Sequence, residues 1–381
     1  MSNIQISVPS YGEEELRAIQ DPIQTGWLTQ GKHVKKFESD FASKHNVDFA
    51  LATTSCTTAL HLMLAAAGIG PGDEVLVPSF TWVSTANSVL YCGATPVLVD
   101  IDLDTFNISL DEAIKKVTPK TKAVIVVDLF GLCVDIKLFK KNLGSNILVF
   151  EDAACAAGAS LNGDMAGSVS HAAAFSFHPR KSITTGEGGM LTTQNAELAA
   201  LAEKMRNHGA EISEEERHSG PAPYLLPEFN TLGFNYRMTD LQGAIGVEQL
   251  KKLDNFIEER DFQANYYLEK LHDVNWLTLP KQPENGKHAW QAYVTKVVHP
   301  EGAKFRNLVM GVLLKEGIST RPGTHAIHLL GYYADRYGFK PTDFNNSLIA
   351  SETSLAIPLH NRLTKTDQDR VINSLRKIDY K

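Results

Sequence analysis

One lysine lies in a setting where an amine can do chemistry. Lys181 follows the apolar run 173–177 and opens a loop of small residues, 182–190. An amine withdrawn from water has a lowered pKa, and only the neutral amine attacks an aldehyde or accepts a proton. This observation alone leaves a simpler alternative open, because a lysine in a glycine-rich loop is commonly a solvated surface charge.

Two carboxylates stand at the end of another apolar run. Glu151 and Asp152 directly follow Val149 and Phe150. The carboxyl ends of strands are where α/β sheets bind ligands. A buried Asp152 needs a positive partner, and a protonated pyridine nitrogen is suitable because it keeps the ring an effective electron sink. We expect Glu151 to cap the following helix instead.

Hydroxyl groups and an indole add two further candidates. Ser55, Cys56 and Thr57 precede an apolar helix, whose free N–H groups and positive end would bind a phosphate. Such clusters also cap helices without binding any ligand. Trp82 ends a further apolar run and could stack on a flat heteroaromatic ring, or be a buried core indole.

Short β-rich runs alternate with helical stretches between about residues 50 and 195. This alternation predicts an α/β fold with a mostly parallel central sheet flanked by helices. Nearly continuous apolar runs, typical of buried parallel strands, give the predicted strands 75–78, 96–99, 123–127, 147–151 and 173–177. A helix is predicted over 57–67, and Ser109 with Glu112 has the spacing of a capping box that opens another helix, which Pro119 closes.

The chain has 381 residues, more than one hydrophobic core usually supports, so two domains are expected. After about residue 250 the pattern changes to a long charged helix, 251–271, and an isolated strand, 292–298. We therefore predict a large domain with an N-terminal arm over 1–250 and a smaller C-terminal α+β domain over 251–381.

Composition excludes several kinds of partner. The net charge is −7 and no sustained stripe of Lys and Arg is present, which argues against nucleic acid. No apolar run is long enough to cross a bilayer and the first residues lack a signal-peptide pattern, so we expect a cytoplasmic protein without a membrane partner. The four cysteines have no paired spacing, and His325 and His328 have no third ligand, so no metal is expected.

Taken together, the motifs resemble the DegT/StrS-type sugar-nucleotide aminotransferases, which are fold-type I pyridoxal-phosphate (PLP) enzymes of the aspartate aminotransferase superfamily. The similarity covers nearly the whole chain and is found at 26–31, 70–75, 151–154, 233–240 and 356–360, and in Ser176 with Lys181. It implies a transaminase that moves an amino group from glutamate to a nucleotide-linked keto sugar. It also implies a homodimer with shared active sites.

The resemblance gives roles to individual residues. Lys181 would bind PLP as a Schiff base and move a proton, while Asp152 would pair with the pyridine nitrogen and Trp82 would cover the ring. The remaining expected cofactor contacts are to the phosphate, from Ser55, Cys56, Thr57 and Ser176, with Asn235 of the neighbouring subunit. Substrate contacts are expected from Thr29, Arg237 and His325.

Some positions depart from the family pattern. Cys155 stands where many members have Gln, and Arg180 stands beside the lysine where a small residue is frequent. The loop 184–189, with Glu187, resembles members that aminate C4 of a 4-keto-6-deoxy sugar more than members that aminate C3, which often have Asp there. The product would serve surface polysaccharide or glycoconjugate biosynthesis, with UDP, GDP and dTDP all open as the nucleotide.

Three alternatives compete with this interpretation. A dehydratase on the same scaffold would carry His in place of the lysine, and Lys181 argues against it. A PLP-binding sensor without turnover would be supported by a DNA-binding segment or a basic patch, and neither is present. The glycines within 68–72 precede a predicted strand, whereas those of a dinucleotide fingerprint follow one, which argues against a nicotinamide dehydrogenase.

Overall fold

A seven-stranded sheet lies at the centre of the computed structural model, which describes residues 3–212, 224 and 226–378. The strands of the chain are β1 Phe49–Thr53, β2 Glu74–Pro78, β3 Phe80–Thr81, β4 Thr95–Val99, β5 Thr121–Val127, β6 Leu148–Asp152, β7 Ser160–Leu161, β8 Asp164–Met165, β9 Ala172–Ser176, β10 Gly189–Thr193, β11 Leu277–Thr278, β12 Gly286–Lys287, β13 Tyr293–Val297, β14 His325–Ala326 and β15 Ser354–Ile357. The central sheet has the order β1-β10-β9-β6-β5-β2-β4.

The direction of the strands confirms the predicted fold class. Strands β4, β2, β5, β6 and β9 pair in parallel, and β10 pairs antiparallel with both β9 and β1. All five predicted strands are present, with ends that differ by one or two residues. Because the five strands are parallel, their carboxyl ends meet at one edge of the sheet.

Helices cover both faces of this sheet. They are α1 Glu13–Ala18, α2 Gln20–Thr25, α3 Lys32–His45, α4 Cys56–Ala66, α5 Ser84–Tyr91, α6 Leu110–Lys115, α7 Ile136–Leu143, α8 Ala196–Arg206, α9 Asp240–Leu271, α10 Ala303–Lys315, α11 Gly331–Tyr337, α12 Asn345–Thr353 and α13 Lys365–Arg376. Among the described residues, no helix combines the length and the apolar character that a bilayer span requires.

Two helix predictions need correction. The long charged helix α9 begins at Asp240, well before residue 251, because Thr239 and Gln242 form a capping box there. In α6, Ser109 Oγ accepts from the amide of Glu112 as predicted. The Glu112 carboxylate, however, pairs with Lys115 Nζ at 2.6 Å instead of reaching back, and the helix ends at Lys115, before Pro119.

Helix α9 packs into two separate hydrophobic cores. Its first part, with Leu253 and Ile257 buried, belongs to the core on one face of the central sheet. Its last part, with Tyr267 and Leu271 buried, belongs to a second core formed with β13, β15, α10 and α13. The division of the chain into two domains at residue 250 stays a prediction.

Candidate active site

Asp152 is the last residue of β6 and is buried at the carboxyl edge of the sheet. Its Oδ2 accepts a hydrogen bond of 2.7 Å from Thr85 Oγ1, and its Oδ1 accepts one of 3.3 Å from the amide of Ala154. Burial raises the pKa of Asp152, although the bond from Thr85 and the charge of Lys181 act in the opposite direction. A cation or a protonated ring nitrogen beside this carboxylate would stabilise its charged form.

Lys181 lies in the turn after β9, where its amide donates to the carbonyl of His178 at 2.9 Å. Its Nζ donates to Cys155 Sγ at 3.2 Å. Burial by itself lowers the pKa of Lys181, but the neighbouring Cys155, Cys56 and Asp152 outweigh it and raise the pKa above the ordinary value. The expectation of a lowered lysine pKa is therefore wrong for this arrangement, because the sequence does not reveal how many acidic groups converge on the amine.

A cradle of hydroxyl and amide groups adjoins the amino end of α4. Ser55 caps α4, and its Oγ accepts from the amide of Thr58 at 3.2 Å. The first-turn amides of Cys56 and Thr57 have no acceptor inside the helix. Gly189 packs so closely here that an added Cβ would lie 2.4 Å from the Ser55 carbonyl and 2.6 Å from the Cys56 amide nitrogen.

Ser176 completes this cradle from the neighbouring strand. It is the last residue of β9 and pairs with Gly189 of β10, the residue that contacts the Ser55–Cys56 backbone. The structure thus brings Ser55, Cys56 and Ser176 to the same edge as Asp152 and Lys181, as expected for strands that end together. Cys56 also interacts directly with the Asp152 group, since its Sγ lies 4.0 Å from Asp152 Oδ1.

Trp82 stands at the open side of this edge. The residue is 60% exposed, so the alternative of a buried core indole is wrong. The ring lies 5.5 Å from that of His325, centroid to centroid, because β14 pairs with β3 and sets His325 opposite Thr81. The exposed indole is therefore free to cover a planar group.

Three further predicted residues occupy the neighbouring segments. Asn235 is exposed in the single chain, and its backbone forms a bridge with Asn207. Arg237 forms a backbone bridge with Thr53, at the end of β1, and its Nη1 donates to Asn207 Oδ1 at 2.5 Å. Thr29 lies in the loop before α3, and in the described part of the chain no hydrogen bond joins it to the Lys181 group.

Some site features are not evident from the sequence. Thr85, which holds Asp152, does not stand out there, and its position three residues after Trp82 at the start of α5 is the available signal. Glu151 does not cap a helix, so that prediction is wrong. Adjacent strand residues point to opposite faces, and Glu151 Oε1 accepts from the amide of Gly167 at 3.0 Å on the face away from Asp152.

The two histidines of 325–328 have separate surroundings. His328 is buried and packs in the core, with Nδ1 2.7 Å from Ser79 Oγ and Nε2 3.2 Å from the carbonyl oxygen of Pro341. His325 is exposed beside Trp82. In the residues covered by the structure, no group of three or more His, Cys, Asp and Glu side chains is arranged to hold a metal ion.

The residues present fit a phosphorylated pyridine aldehyde. They offer an amine at Lys181, a buried carboxylate at Asp152, and hydroxyl and amide donors at the amino end of α4. A positive helix end is a common phosphate site, and at Gly189 only a residue without Cβ permits the close approach of the strand to Ser55. Fold and site together define a PLP-dependent transferase of fold type I.

The chain belongs to the DegT/DnrJ/EryC1/StrS aminotransferase family, whose model matches residues 9–376. It is similar to GDP-perosamine synthase of Caulobacter vibrioides, with 38% identity over 382 residues, 99% of each chain. It is also similar to the spore coat polysaccharide biosynthesis protein SpsC of Bacillus subtilis, with 37% identity over 376 residues, covering 98% of this chain and 96% of that protein.

A solved structure of a putative sugar aminotransferase is also similar to this chain. The PLP form of the putative sugar aminotransferase Spr1654 from Streptococcus pneumoniae superposes with a TM-score of 0.90, at 26% identity, over 98% of this chain and 97% of that one. The predictions of fold class, of an aminotransferase and of PLP as cofactor are therefore confirmed. The roles of individual site residues stay predictions.

Proposed function

We propose that this protein transfers an amino group from glutamate to C4 of a nucleotide-linked 4-keto-6-deoxy sugar, for surface polysaccharide or glycoconjugate biosynthesis. The observation that carries the proposal is the Lys181 amine beside the buried Asp152 at the carboxyl edge of the sheet, in a chain that matches GDP-perosamine synthase over 99% of its length. The relative named for spore coat polysaccharide biosynthesis supports the same use of the product.

The site residues have distinct proposed roles. Bound PLP supplies the electron sink and carries the amino group between the two substrates. Lys181 anchors the cofactor and moves a proton at the reacting carbon, while Asp152 keeps the ring nitrogen protonated. The cofactor phosphate is bound by donors that lie at the amino end of α4 and the end of β9, namely Ser55, Cys56, Thr57 and Ser176, and the substrate by Thr29, Arg237 and His325.

We propose a homodimer in which each subunit completes the site of the other. Asn235 supports this arrangement because it is exposed in the single chain, on the segment that runs along the end of β1. An exposed amide there is available to a phosphate bound to another subunit. Trp82, 60% exposed, likewise lies on a side of the site that the chain leaves open.

The preference for C4 rests on the loop before β10. Glu187 is exposed there, and its carbonyl accepts from Gln242 Nε2 at 2.6 Å and from Thr185 Oγ1 at 2.6 Å. These bonds fix the loop at the edge that carries Lys181. A C3-aminating enzyme is the second candidate, and Glu187 argues against it, because that group of the family often has Asp at this position.

Two other functions on this scaffold have less support. A dehydratase would need a residue other than Lys181 to serve as the base, and the Lys181 amine is present and hydrogen bonded in the site. A PLP-binding sensor would keep the cofactor without turnover. The observed set of an amine, a buried carboxylate, and hydroxyl and amide groups at a helix end supports turnover, because such sites arrange perturbed titratable groups around the reacting atoms.

The proposed function is tested by absorbance and by product analysis. Purified protein with PLP is expected to give a visible band that glutamate removes, and the Lys181→Ala variant should lack the band of the lysine-bound cofactor. Asp152→Asn should still bind PLP but turn over much more slowly, because a neutral amide does not hold the ring nitrogen protonated.

The substrate is then identified by mass spectrometry. Glutamate with UDP-, GDP- or dTDP-linked 4-keto-6-deoxy sugars should give an amino sugar, and NMR of the product shows which carbon carries nitrogen. Amination at C3 would overturn the C4 assignment alone. A visible band that no amino donor removes would favour the sensor, and absence of a band would overturn the function.

A further inference from the structure

Two carboxyl groups face each other on the side of the sheet opposite Asp152. Asp128 follows β5 and Glu151 is the penultimate residue of β6, and both are buried, with 0% and 2% of their surface exposed. In each carboxyl group, one oxygen accepts a hydrogen bond from the backbone. The amide of Val134 donates to Asp128 Oδ1 at 2.8 Å, and the amide of Gly167 donates to Glu151 Oε1 at 3.0 Å.

The second oxygen of each carboxyl group has no such donor. Asp128 Oδ2 and Glu151 Oε2 receive no hydrogen bond of good geometry from any N–H or O–H group of the described residues, although the two side chains are within hydrogen-bonding reach of each other. Two ionised carboxylates are acceptors only. They therefore form a bond with each other only if one of them carries a proton.

We propose that Asp128 and Glu151 share one proton as a buried acid–carboxylate pair, and that this pair positions the end of β6 from which Asp152 projects. Burial raises the pKa of both groups, and the neighbouring Glu151 charge raises that of Asp128 further. The bonds that Glu151 accepts from Asp128 and Gly167 lower its pKa in part. Because the two groups titrate as a pair, the proton is shared between them, and when it is on Asp128 it is donated to Glu151.

The connection to the active site runs through the backbone. The amide of Asp128 donates to the carbonyl of Asp152 at 3.1 Å, which extends the β5–β6 ladder by one bond. Glu151 and Asp152 are adjacent and point to opposite faces. The pair thus holds one face of the strand end while Thr85 holds the other through Asp152 Oδ2. This part of the inference rests on the proposed role of Asp152 as partner of the cofactor.

Other ionisable groups surround the pair. Cys133, in the loop after β5, interacts with both carboxyl groups, and burial together with these negative neighbours raises the pKa of its thiol. Lys140 on α7 is the cation that acts on Glu151, and Asp152 adds negative charge from the same strand. None of these groups donates to Asp128 Oδ2 or Glu151 Oε2 with good geometry in the described structure, although the thiol of Cys133 is near enough to Asp128 to interact with it as a hydrogen-bond donor.

One hydroxyl group lies close to the pair. Ser170 is buried, and its Oγ has no hydrogen-bond partner of good geometry within the described residues, yet it is near enough to Glu151 to lower the pKa of that group. A small movement of Ser170 would bring its hydroxyl to Glu151 without satisfying Asp128. The shared proton must therefore be tested from the Asp128 side of the pair.

The number of protons is tested by a double-mutant cycle of urea unfolding in the cofactor-free protein. In Asp128→Asn the new amide replaces the protonated acid and donates to Glu151, and in Glu151→Gln it donates to Asp128. We expect both single variants to fold with little loss. The double variant should be destabilised by more than the sum of the two single losses. Its side-chain amide at position 151 must turn its NH₂ group either to the NH₂ group of the amide at position 128 or to the backbone N–H of Gly167. Either orientation places two hydrogen-bond donors against each other.

The pH dependence gives a second, independent measurement. A raised folded-state pKa means that the contribution of Asp128 is fully present below the unfolded pKa of about 3.9 and is lost as the pH rises through the folded value. Wild type should therefore lose stability with rising pH relative to Asp128→Asn, by up to about tenfold in the folding equilibrium constant per pH unit. Asp135→Asn, the same change at a partly exposed helix cap, should follow wild type.

The positioning role is tested by PLP binding. Asp128→Ala should weaken PLP binding by about tenfold and alter the pH titration of the visible band, and Asp128→Asn should restore both. A stable Asp128→Ala variant that binds and titrates like wild type would overturn the positioning role. Additive single variants, or parallel pH profiles of wild type and Asp128→Asn, would overturn the shared proton. The urea-unfolding measurements need no cofactor, so they still test the shared proton if the proposed function fails.

Discussion

At the scale of single residues, Lys181 and its immediate neighbours lie at the centre of the candidate site. Three acidic neighbours, Cys155, Cys56 and Asp152, raise the pKa of an amine that burial alone would lower. Cys155 is the hydrogen-bond partner of the amine, at 3.2 Å. Cys155 is the position at which this chain departs from the Gln common in the family.

Replacing Cys155 should change the reactivity of Lys181. In Cys155→Ala the amine remains shielded from water but loses its nearest partner, so the pKa of Lys181 is expected to fall. The measurement is the pH at which the cofactor-free protein begins to bind PLP, followed by visible absorbance. Cys92→Ala, a half-buried cysteine at the end of α5, is the control and should leave this pH unchanged. An unchanged pH in Cys155→Ala would show that the sulfur has no influence on the amine.

At the scale of elements, the site depends on strand and helix ends that meet at one edge. Asp152 and Ser176 are the last residues of β6 and β9, and Ser55 caps α4 beside them. A helix cap at a ligand site has two functions, because it satisfies the free amides of the first turn and also leaves some of them for the ligand. These two functions can be separated by experiment.

Two matched cap variants distinguish structure from binding. Ser55→Ala and Thr364→Ala each remove the cap residue of a capping box, and each should lower the free energy of unfolding by about 1 kcal/mol. Only Ser55→Ala should also weaken PLP binding, since Thr364 caps α13 in the second core. Calorimetry and absorbance titration of both proteins measure the two effects. Equal PLP affinity in the two variants would contradict the phosphate role of Ser55.

At the scale of the whole molecule, buried histidines link stability to pH. His45 is fully buried, stacks on Phe41 at 4.3 Å between ring centroids, and has one ring nitrogen 2.9 Å from the carbonyl oxygen of Ala166. Burial lowers its pKa to about 4. His288, stacked on Trp290, is similarly buried, and burial lowers its pKa to about 3.

Stability should therefore fall on mild acidification. A lowered histidine pKa means that the unfolded chain binds more protons between about pH 6.5 and the folded value, so the free energy of unfolding decreases as the pH falls through this window. For His45 the loss between pH 6.5 and 4 is about 3 kcal/mol. Urea unfolding at several pH values measures it. His45→Gln should have a shallower slope, and His272→Gln, at an exposed residue, should match wild type.

The proposed dimer makes a separate prediction at this scale. Lys181→Ala and Asn235→Ala chains should each be inactive, but a mixed dimer contains one site with both residues intact. An equal mixture that exchanges subunits should therefore recover about a quarter of wild-type activity, because half of the dimers are mixed and each has one working site. Activity after mixing, with mixed dimers verified by mass spectrometry, is the measurement. Verified mixed dimers without activity would refute the shared site.

Much of this architecture can be predicted from local patterns. Apolar runs mark β2, β4, β5, β6 and β9, because strands buried on both faces need apolar residues throughout. The criterion of a continuous apolar run does not identify strands β1 and β10. Their sequences, Phe-Ala-Leu-Ala-Thr and Gly-Met-Leu-Thr-Thr, contain small and hydroxyl residues, and only their pairing with each other and with β9 makes them strands.

The sequence by itself determined the class of chemistry. Lys181 in its small-residue loop, Asp152 at a strand end and the hydroxyl cluster at 54–58 are all identifiable from residue type and spacing. Each of these signals is local, since it depends on a residue and its immediate neighbours in the chain. Local signals can be recognised without knowledge of packing. The structure places all three at one edge of the sheet.

Only the tertiary structure decided how these residues act on one another. The bond from Thr85 to Asp152, the contact of Lys181 with Cys155, and the meeting of Asp128 with Glu151 join residues that are 67, 26 and 23 positions apart. The pKa of a buried group is set by such neighbours and by burial. Neither is present in a linear pattern, which is why the sequence suggests a lowered pKa for Lys181 whereas its neighbours in the folded chain raise it.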